Sequence, residues 1–164
     1  MSQPLPPDDP RPREERPRVR LYVDQPLGPG QQVVLSQDQT HYLANVMRKG
    51  PGEAVALFNG QDGEWRARIA SAGKRGMTLE CEGVTAPQVS PPDLWLLFAP
   101  VKKARTDFIV EKAAELGVAR IQPVFTRLTN AERLNPGRLR AHAVEAAEQC
   151  GETYVPEVAE PVRL

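Results

Sequence analysis

Residues 94–125, LWLLFAPVKKARTDFIVEKAAELGVARIQPVF, decide the fold of the second half of the chain. Leu94 to Ala99 is a near-continuous apolar run, the pattern of a strand buried on both faces of a parallel sheet. The helix after it carries Phe108, Ile109, Ala113 and Leu116 on one stripe, and Gly117 suits its left-handed end. Ala119 to Phe125 reads as a second strand. Asn135-Pro136 then supplies an N-cap and a first-turn proline. Leu139, Ala143, Ala146, Ala147 and Cys150 line one face of that helix up to Gly151, and Tyr154-Val155-Pro156-Glu157-Val158 begins a third strand. The order β-α-β-α-β predicts an α/β domain over 93–164, although such domains normally need about five strands or more.

Upstream the period changes from helical to alternating. Val19, Leu21 and Val23 share one pleated face, and Gln32 to Leu35 forms a second strand. Ser36 and Gln39 are spaced as a capping box, with Leu43, Val46 and Met47 at helical spacing, so a helix is predicted over 37–48. Gly50-Pro51-Gly52 stops it. Ala54 to Phe58 is a strand that turns at Asn59-Gly60. Trp65, Ala67 and Ile69 then alternate with Arg66 and Arg68, and Met77, Leu79 and Cys81 alternate after a Lys-Arg-Gly turn. Short strands with one small helix predict a compact β-barrel or sandwich over 17–86. Residues 87–92, rich in proline, form a linker.

The full chain has 164 residues, with 21 basic and 21 acidic side chains and 40% hydrophobic content, an ordinary globular composition. Six of its 17 prolines fall within residues 1–17 among charged side chains, so residues 1–16 are expected to be a disordered arm. The longest apolar run, Leu94 to Pro100, is far short of the ~20 residues of a membrane span. No signal-peptide core is visible near the N-terminus, and a cytoplasmic location is expected. Cys81 and Cys150 stand alone, without CxxC spacing, which removes a structural zinc site or a disulfide framework.

The charge is unevenly placed. Residues 93–140 hold nine basic and five acidic side chains, and the last 24 residues turn acidic. A basic segment inside a neutral chain suits either a polyanionic partner or an ordinary solvated surface. No GxGxxG, P-loop, HExxH or GxSxG pattern occurs. His41 and His142 fall in different halves, and Glu145 and Glu148 can share a helix face, which a solvated acidic surface also explains. Lys102-Lys103-Ala104-Arg105 follows the C-terminal end of a strand, where open α/β sheets place ligands, and three cations there suit backbone phosphates.

His41-Tyr42-Leu43-Ala44-Asn45-Val46-Met47-Arg48 resembles the HYL-x-x-V-x-R block of the bacterial 16S rRNA (uracil-N3)-methyltransferase family. Leu57-Phe58-Asn59-Gly60 with Trp65, then Lys102 to Gly117, then Glu145 to Gly151 follow in that family's order. Pro156-Glu157-Val158 continues in register, and the likeness covers about residues 18–160. The resemblance implies an N-terminal PUA-like β-barrel that helps bind RNA, followed by an α/β SPOUT domain with a trefoil knot. It also implies a homodimer that carries a methyl group from S-adenosylmethionine to N3 of one uridine in 16S rRNA, within the small ribosomal subunit, without a metal. It assigns no catalytic residue. Arg20, Arg48, Lys102, Lys103 and Arg105 are the cations expected on the RNA face, since they come from strand, helix and loop ends. Arg66 and Arg68, which share a strand face, are expected to join them.

Two departures bear on these expectations. The family's Gly-Pro-Glu-Gly-Gly loop and Leu-Gly-x-x-Ile-Leu-Arg-x-Glu-Thr block, which build the knot and the methyl-donor pocket, do not occur in the 164 residues. The chain is therefore expected to be a fragment or a truncated form that cannot hold the donor alone. Leu94–Ala99 and Ala119–Phe125 are expected to keep uncovered apolar surface. Glu152-Thr153 also stands where relatives carry a basic residue. The rival reading is a non-catalytic RNA-binding module, and a third is a structural subunit without an RNA role.

Overall fold

In the computed structural model, residues 17–129 and 134–164 are described; the predicted arm over 1–16 and Arg133 fall outside them. The chain divides into two compact units, up to Gln88 and from Val89.

The first unit is a five-stranded sheet wrapped around its own apolar core. Its strands are β1 (Arg20–Tyr22), β2 (Gln32–Val34), β3 (Ala54–Phe58), β4 (Glu64–Gly73) and β5 (Gly76–Ala86), in the order β1-β3-β4-β5-β2. β1 runs parallel to β3 and the other pairs are antiparallel. Alternation sets the inner face: Val19, Leu21, Val33, Val55, Leu57, Ala67, Ile69, Met77 and Leu79 pack into one cluster. Beyond β1, the Gln25 side chain acts as a substitute strand for β2. Its Nε2 donates to the Val34 carbonyl at 2.7 Å, and its Oε1 accepts from the Val34 N–H at 3.0 Å. An edge strand that would otherwise expose both groups is thereby partly satisfied.

The helix predicted over 37–48 is shorter and changes character. α1 (Gln37–His41) starts with the Ser36–Gln39 capping box, and Gln39 Nε2 also reaches the Tyr22 carbonyl at 2.7 Å. A π-helical turn over Tyr42–Val46 follows, in which Met47 N–H donates five residues back to the Tyr42 carbonyl at 2.9 Å. Leu43 is the one buried side chain of the two segments, and the widened turn ends at Arg48, whose φ is 53°. A non-glycine residue in that region signals local constraint.

The second unit is a parallel sheet with two helices. β6 (Trp95–Phe98), α2 (Lys103–Glu115), β7 (Arg120–Phe125) and α3 (Pro136–Cys150) are followed by β8 (Glu157–Val158) and β9 (Val162–Arg163). β6, β8 and β9 all pair with β7. The predicted third strand is thus an interrupted one. Prolines explain the break. In the parallel ladder Ala159 N–H donates to the Ile121 carbonyl, and the next donor should be residue 161, which is Pro161 and has no N–H. Gln122, buried, supplies the substitute: its Nε2 donates to the Pro123 carbonyl at 3.1 Å and the Glu160 carbonyl at 2.8 Å.

Three details differ from the sequence reading. β6 is not buried on both faces: Trp95 and Leu97 are 54% and 56% exposed, while Leu96 and Phe98 pack inward. β6 lies at the edge of the sheet, and among the described residues nothing covers that outer face beyond Arg120, whose guanidinium sits 4.8 Å from the Trp95 ring centre. Ile121 to Val124 of β7, expected to stay uncovered, are buried. On α2 the inward stripe is Thr106, Val110, Ala113 and Ala114; Phe108 and Leu116 point outward. Small alanines let α2 and α3 approach closely, so the face with the alanines turns inward and the bulkier residues are displaced. Gly117 ends α2 at φ 82°, where an added Cβ would lie 2.8 Å from the Tyr154 hydroxyl.

Candidate functional site

The C-terminal ends of β6 and β7 open into a cleft of about 640 Å3, walled by the first turns of α2 and α3. Its upper wall is the segment Pro100–Arg105. Thr106, nearly fully buried, pins this segment: its Oγ1 accepts from Val101 N–H at 3.1 Å and donates to the Val101 carbonyl at 3.0 Å. The Lys102 carbonyl accepts from the N–H groups of Arg105 and Thr106, so the chain turns directly into α2. Lys102, Lys103 and Arg105 line the cleft and are exposed to solvent. Three cations on one short turn create a positive potential that attracts phosphates.

The opposite wall belongs to α3. Asn135 caps this helix by accepting from Arg138 N–H at 3.2 Å. The Arg138 side chain forms an ion pair with Asp107 of α2, and His142 Nε2 lies 3.6 Å from the same carboxylate. The second Asp107 oxygen is buried without a hydrogen-bond partner. Asp107 therefore ties the two helices together at the cleft. Neither Asp107 nor Arg138 was singled out by sequence reasoning. They are 31 residues apart, and only the packing of α2 on α3 brings them together.

The barrel arginines are in different surroundings. Arg20 is held by Glu64 at 2.5 Å and lies over the Phe58 ring at 4.6 Å, while Glu64 also accepts from the Thr85 hydroxyl. Arg66 and Arg68 converge on Glu82, at 3.0 and 2.6 Å. Partial burial pushes the Glu82 carboxyl up, but the hydrogen bonds and charges of Arg68, then Arg66, outweigh it and hold the group below its ordinary value. Arg48 is exposed at the end of the π-helical turn. The structure thus gathers Lys102, Lys103 and Arg105 in one cleft of the second unit and sets Arg20, Arg66 and Arg68 in carboxylate pairs on the first, where Arg48 stays exposed. Thr153, in the segment where relatives carry a basic residue, is buried, and its hydroxyl accepts from Val89 N–H at 3.0 Å.

Residues 28–81 match the RNA methyltransferase PUA domain family, and residues 88–164 match the RNA methyltransferase domain family. The chain is 29% identical to the ribosomal RNA small subunit methyltransferase E of Rickettsia conorii, over 86% of this chain and 58% of that protein. A methyltransferase of Legionella pneumophila, solved in complex with the cofactor SAM, superposes with a TM-score of 0.80 at 29% identity, over 90% of this chain and 64% of that one. A ribosomal RNA small subunit methyltransferase E from Neisseria gonorrhoeae, solved bound to S-adenosyl methionine, gives 0.71 at 27% identity, over 88% of this chain and 62% of that one. The chain spans less than two thirds of the length of each of these relatives. The two matches stand in order along one chain and the fold is shared with those structures, so the chain carries the sequence of an RNA methyltransferase PUA domain followed by that of an RNA methyltransferase domain.

Proposed function

We propose that the protein methylates N3 of a uridine in 16S rRNA of the small ribosomal subunit, with S-adenosylmethionine as donor, acting as a homodimer in the cytoplasm. The observation that carries this reading is the cationic cleft at the strand ends, within a fold like that of S-adenosylmethionine-bound small-subunit rRNA methyltransferases. The donor supplies an electrophilic methyl on a sulfonium. A cleft walled by Lys102, Lys103 and Arg105 opposes a second cation and favours phosphates, so it is assigned to RNA rather than to the donor. Uracil N3 is about as acidic as a phenol, near pKa ~10, so its anion needs stabilisation as the proton leaves. Cations held at the pinned start of α2 can contribute this without reorganising. The Gly-Pro-Glu-Gly-Gly loop that the resemblance associates with the donor is not among the 164 residues, and no residue here is assigned to hold it.

The test is incubation of small subunits lacking the modification with labelled S-adenosylmethionine, followed by mass spectrometry of the nucleosides. A form that includes the donor loop should yield N3-methyluridine, and residues 1–164 alone should neither transfer methyl nor shift in melting temperature with S-adenosylmethionine. Methyl found on ribose or on another base atom would overturn the N3 assignment. Stoichiometric, micromolar binding of the donor to residues 1–164 would overturn the division of labour.

A further inference from the structure

The barrel is electrically polarised along its strands, and the register shows which end is which. β3 begins where β4 is ending, with Ala54 opposite Arg68, and β2 ends opposite the start of β5, with Val34 opposite Thr78. The β4–β5 turn at Lys74 and Arg75, α1, the π-helical turn and the 47–53 loop therefore share one end. Direct bonds confirm the neighbourhood: Met77 N–H donates to Thr40 Oγ1 at 3.1 Å, and Gly52 N–H to the Ile69 carbonyl at 2.8 Å. Arg18 joins them, because the parallel pairing of Arg20 with Ala56 sets it level with Ala54.

By the register Arg68 and Glu80 lie level with Arg18, so this end carries Arg18, Arg48, Lys49, Arg68, Lys74 and Arg75 against Asp38, Glu53 and Glu80. Lys49 is spent on Glu53, at 3.2 Å. Arg18, Arg48, Lys74 and Arg75 are exposed, with no ion-pair partner among the described residues. Toward the opposite end stand Asp24, Asp62 and Glu64, and the arginines level with Ala56, Arg20 and Arg66, are bound to Glu64 and Glu82. The near-neutral balance of the barrel thus conceals a dipole. On the cationic end the widened turn also presents apolar surface: Tyr42 is 39% exposed, Val46 60% and Met47 38%. A ring on the same end as exposed cations is the kind of surface on which unpaired bases stack while phosphates are neutralised.

We propose that the barrel binds single-stranded RNA at this end, with Arg48, Lys74 and Arg75 on phosphates and Tyr42 as the platform for an unpaired base. The proposal rests on the RNA-methyltransferase reading and deepens it, since it moves the barrel's RNA contact from the arginines of the sheet face to the π-helical turn and the β4–β5 hairpin. Charge complementarity selects the occupant: four unpaired cations disfavour a basic or purely apolar partner.

The test is fluorescence anisotropy with the 164-residue chain and a labelled single-stranded RNA oligonucleotide of mixed sequence, over a salt series. Lys74→Ala/Arg75→Ala should reduce the slope of log affinity against log salt by about 1.4, or 0.7 for each lost contact. Tyr42→Ala should weaken binding roughly tenfold with the slope unchanged. Lys112→Ala, a surface cation of the second unit, should alter neither. Wild-type chain that binds RNA while both barrel variants match it would overturn the placement alone. Absence of RNA binding by the wild-type chain would overturn the proposal together with the RNA-binding reading beneath it. Circular dichroism of each variant excludes unfolding as the cause; Lys74 and Arg75 are exposed, and Tyr42→Phe, which keeps the ring, should bind as wild type does.

Discussion

Gln122 shows how one side chain repairs a gap that sequence patterning hides. Read as part of a strand, it is an odd polar residue between Ile121 and Pro123. The structure gives the reason: Pro161 cannot donate, and the Gln122 amide satisfies the Pro123 and Glu160 carbonyls instead. Gln122→Leu keeps much of the volume but removes both donors. It should cost about 1–3 kcal/mol in urea unfolding, the penalty for leaving the buried Pro123 carbonyl unpaired. A leucine variant as stable as wild type would show that water replaces the amide. Glu82 carries the residue-scale pH effect. Its folded-state pKa lies below the ordinary 4.5, so the stability it contributes is present above that pH and disappears as pH falls through the folded value. Glu82→Gln should therefore melt lower than wild type at neutral pH, and the two melting curves should converge as the pH is taken below 4.5. A difference that persists unchanged in acid would assign the effect to packing rather than charge.

At the scale of elements, strand alternation was the most legible signal. Trp65, Ala67 and Ile69, then Met77, Leu79 and Cys81, face the core as their period requires, because a strand's two faces leave no third choice. Helix faces were less legible. Phe108, Ile109, Ala113 and Leu116 make a plausible stripe by hydrophobicity, yet Val110, Ala113 and Ala114 are the buried set. Close approach to α3 decided it, and no local pattern reports which small residues a neighbouring helix will meet. The π-helical turn was invisible for a similar reason, since it follows from seating Leu43 in the barrel core rather than from any local propensity. The α2 correction can be checked directly. Ala113→Leu should destabilise the second unit by about 1–3 kcal/mol through overpacking. Leu116→Ala, at a site 81% exposed, should change stability by less than about 0.5 kcal/mol. Thermal melts giving the reverse order would restore the stripe read from the sequence.

For the whole molecule, a net charge of zero is the least informative number in the sequence, because the cations and carboxylates are sorted by position. Pairing divides them further. Arg20, Arg66, Arg68, Arg120 and Arg138 are committed to carboxylates, and that could not be foreseen from spacing, since their partners lie between 14 and 44 residues away. Lys102, Lys103 and Arg105 remain exposed at the N-terminal end of α2, which Thr106 ties to Val101, and this makes them the cations best placed to meet phosphate in the cleft. Local sequence revealed this group because all three belong to one turn, whereas Asp107 and Arg138 needed the tertiary fold. If the lysines meet phosphates, Lys102→Ala/Lys103→Ala should lower the salt slope of single-stranded RNA binding by about 1.4, two contacts at 0.7 each. Its melting temperature should stay near wild type, because both side chains are exposed and no carboxylate partner is lost. Affinity that falls with no change in slope would point to a distorted start of α2, and an unchanged affinity and slope would remove the cleft from the RNA path.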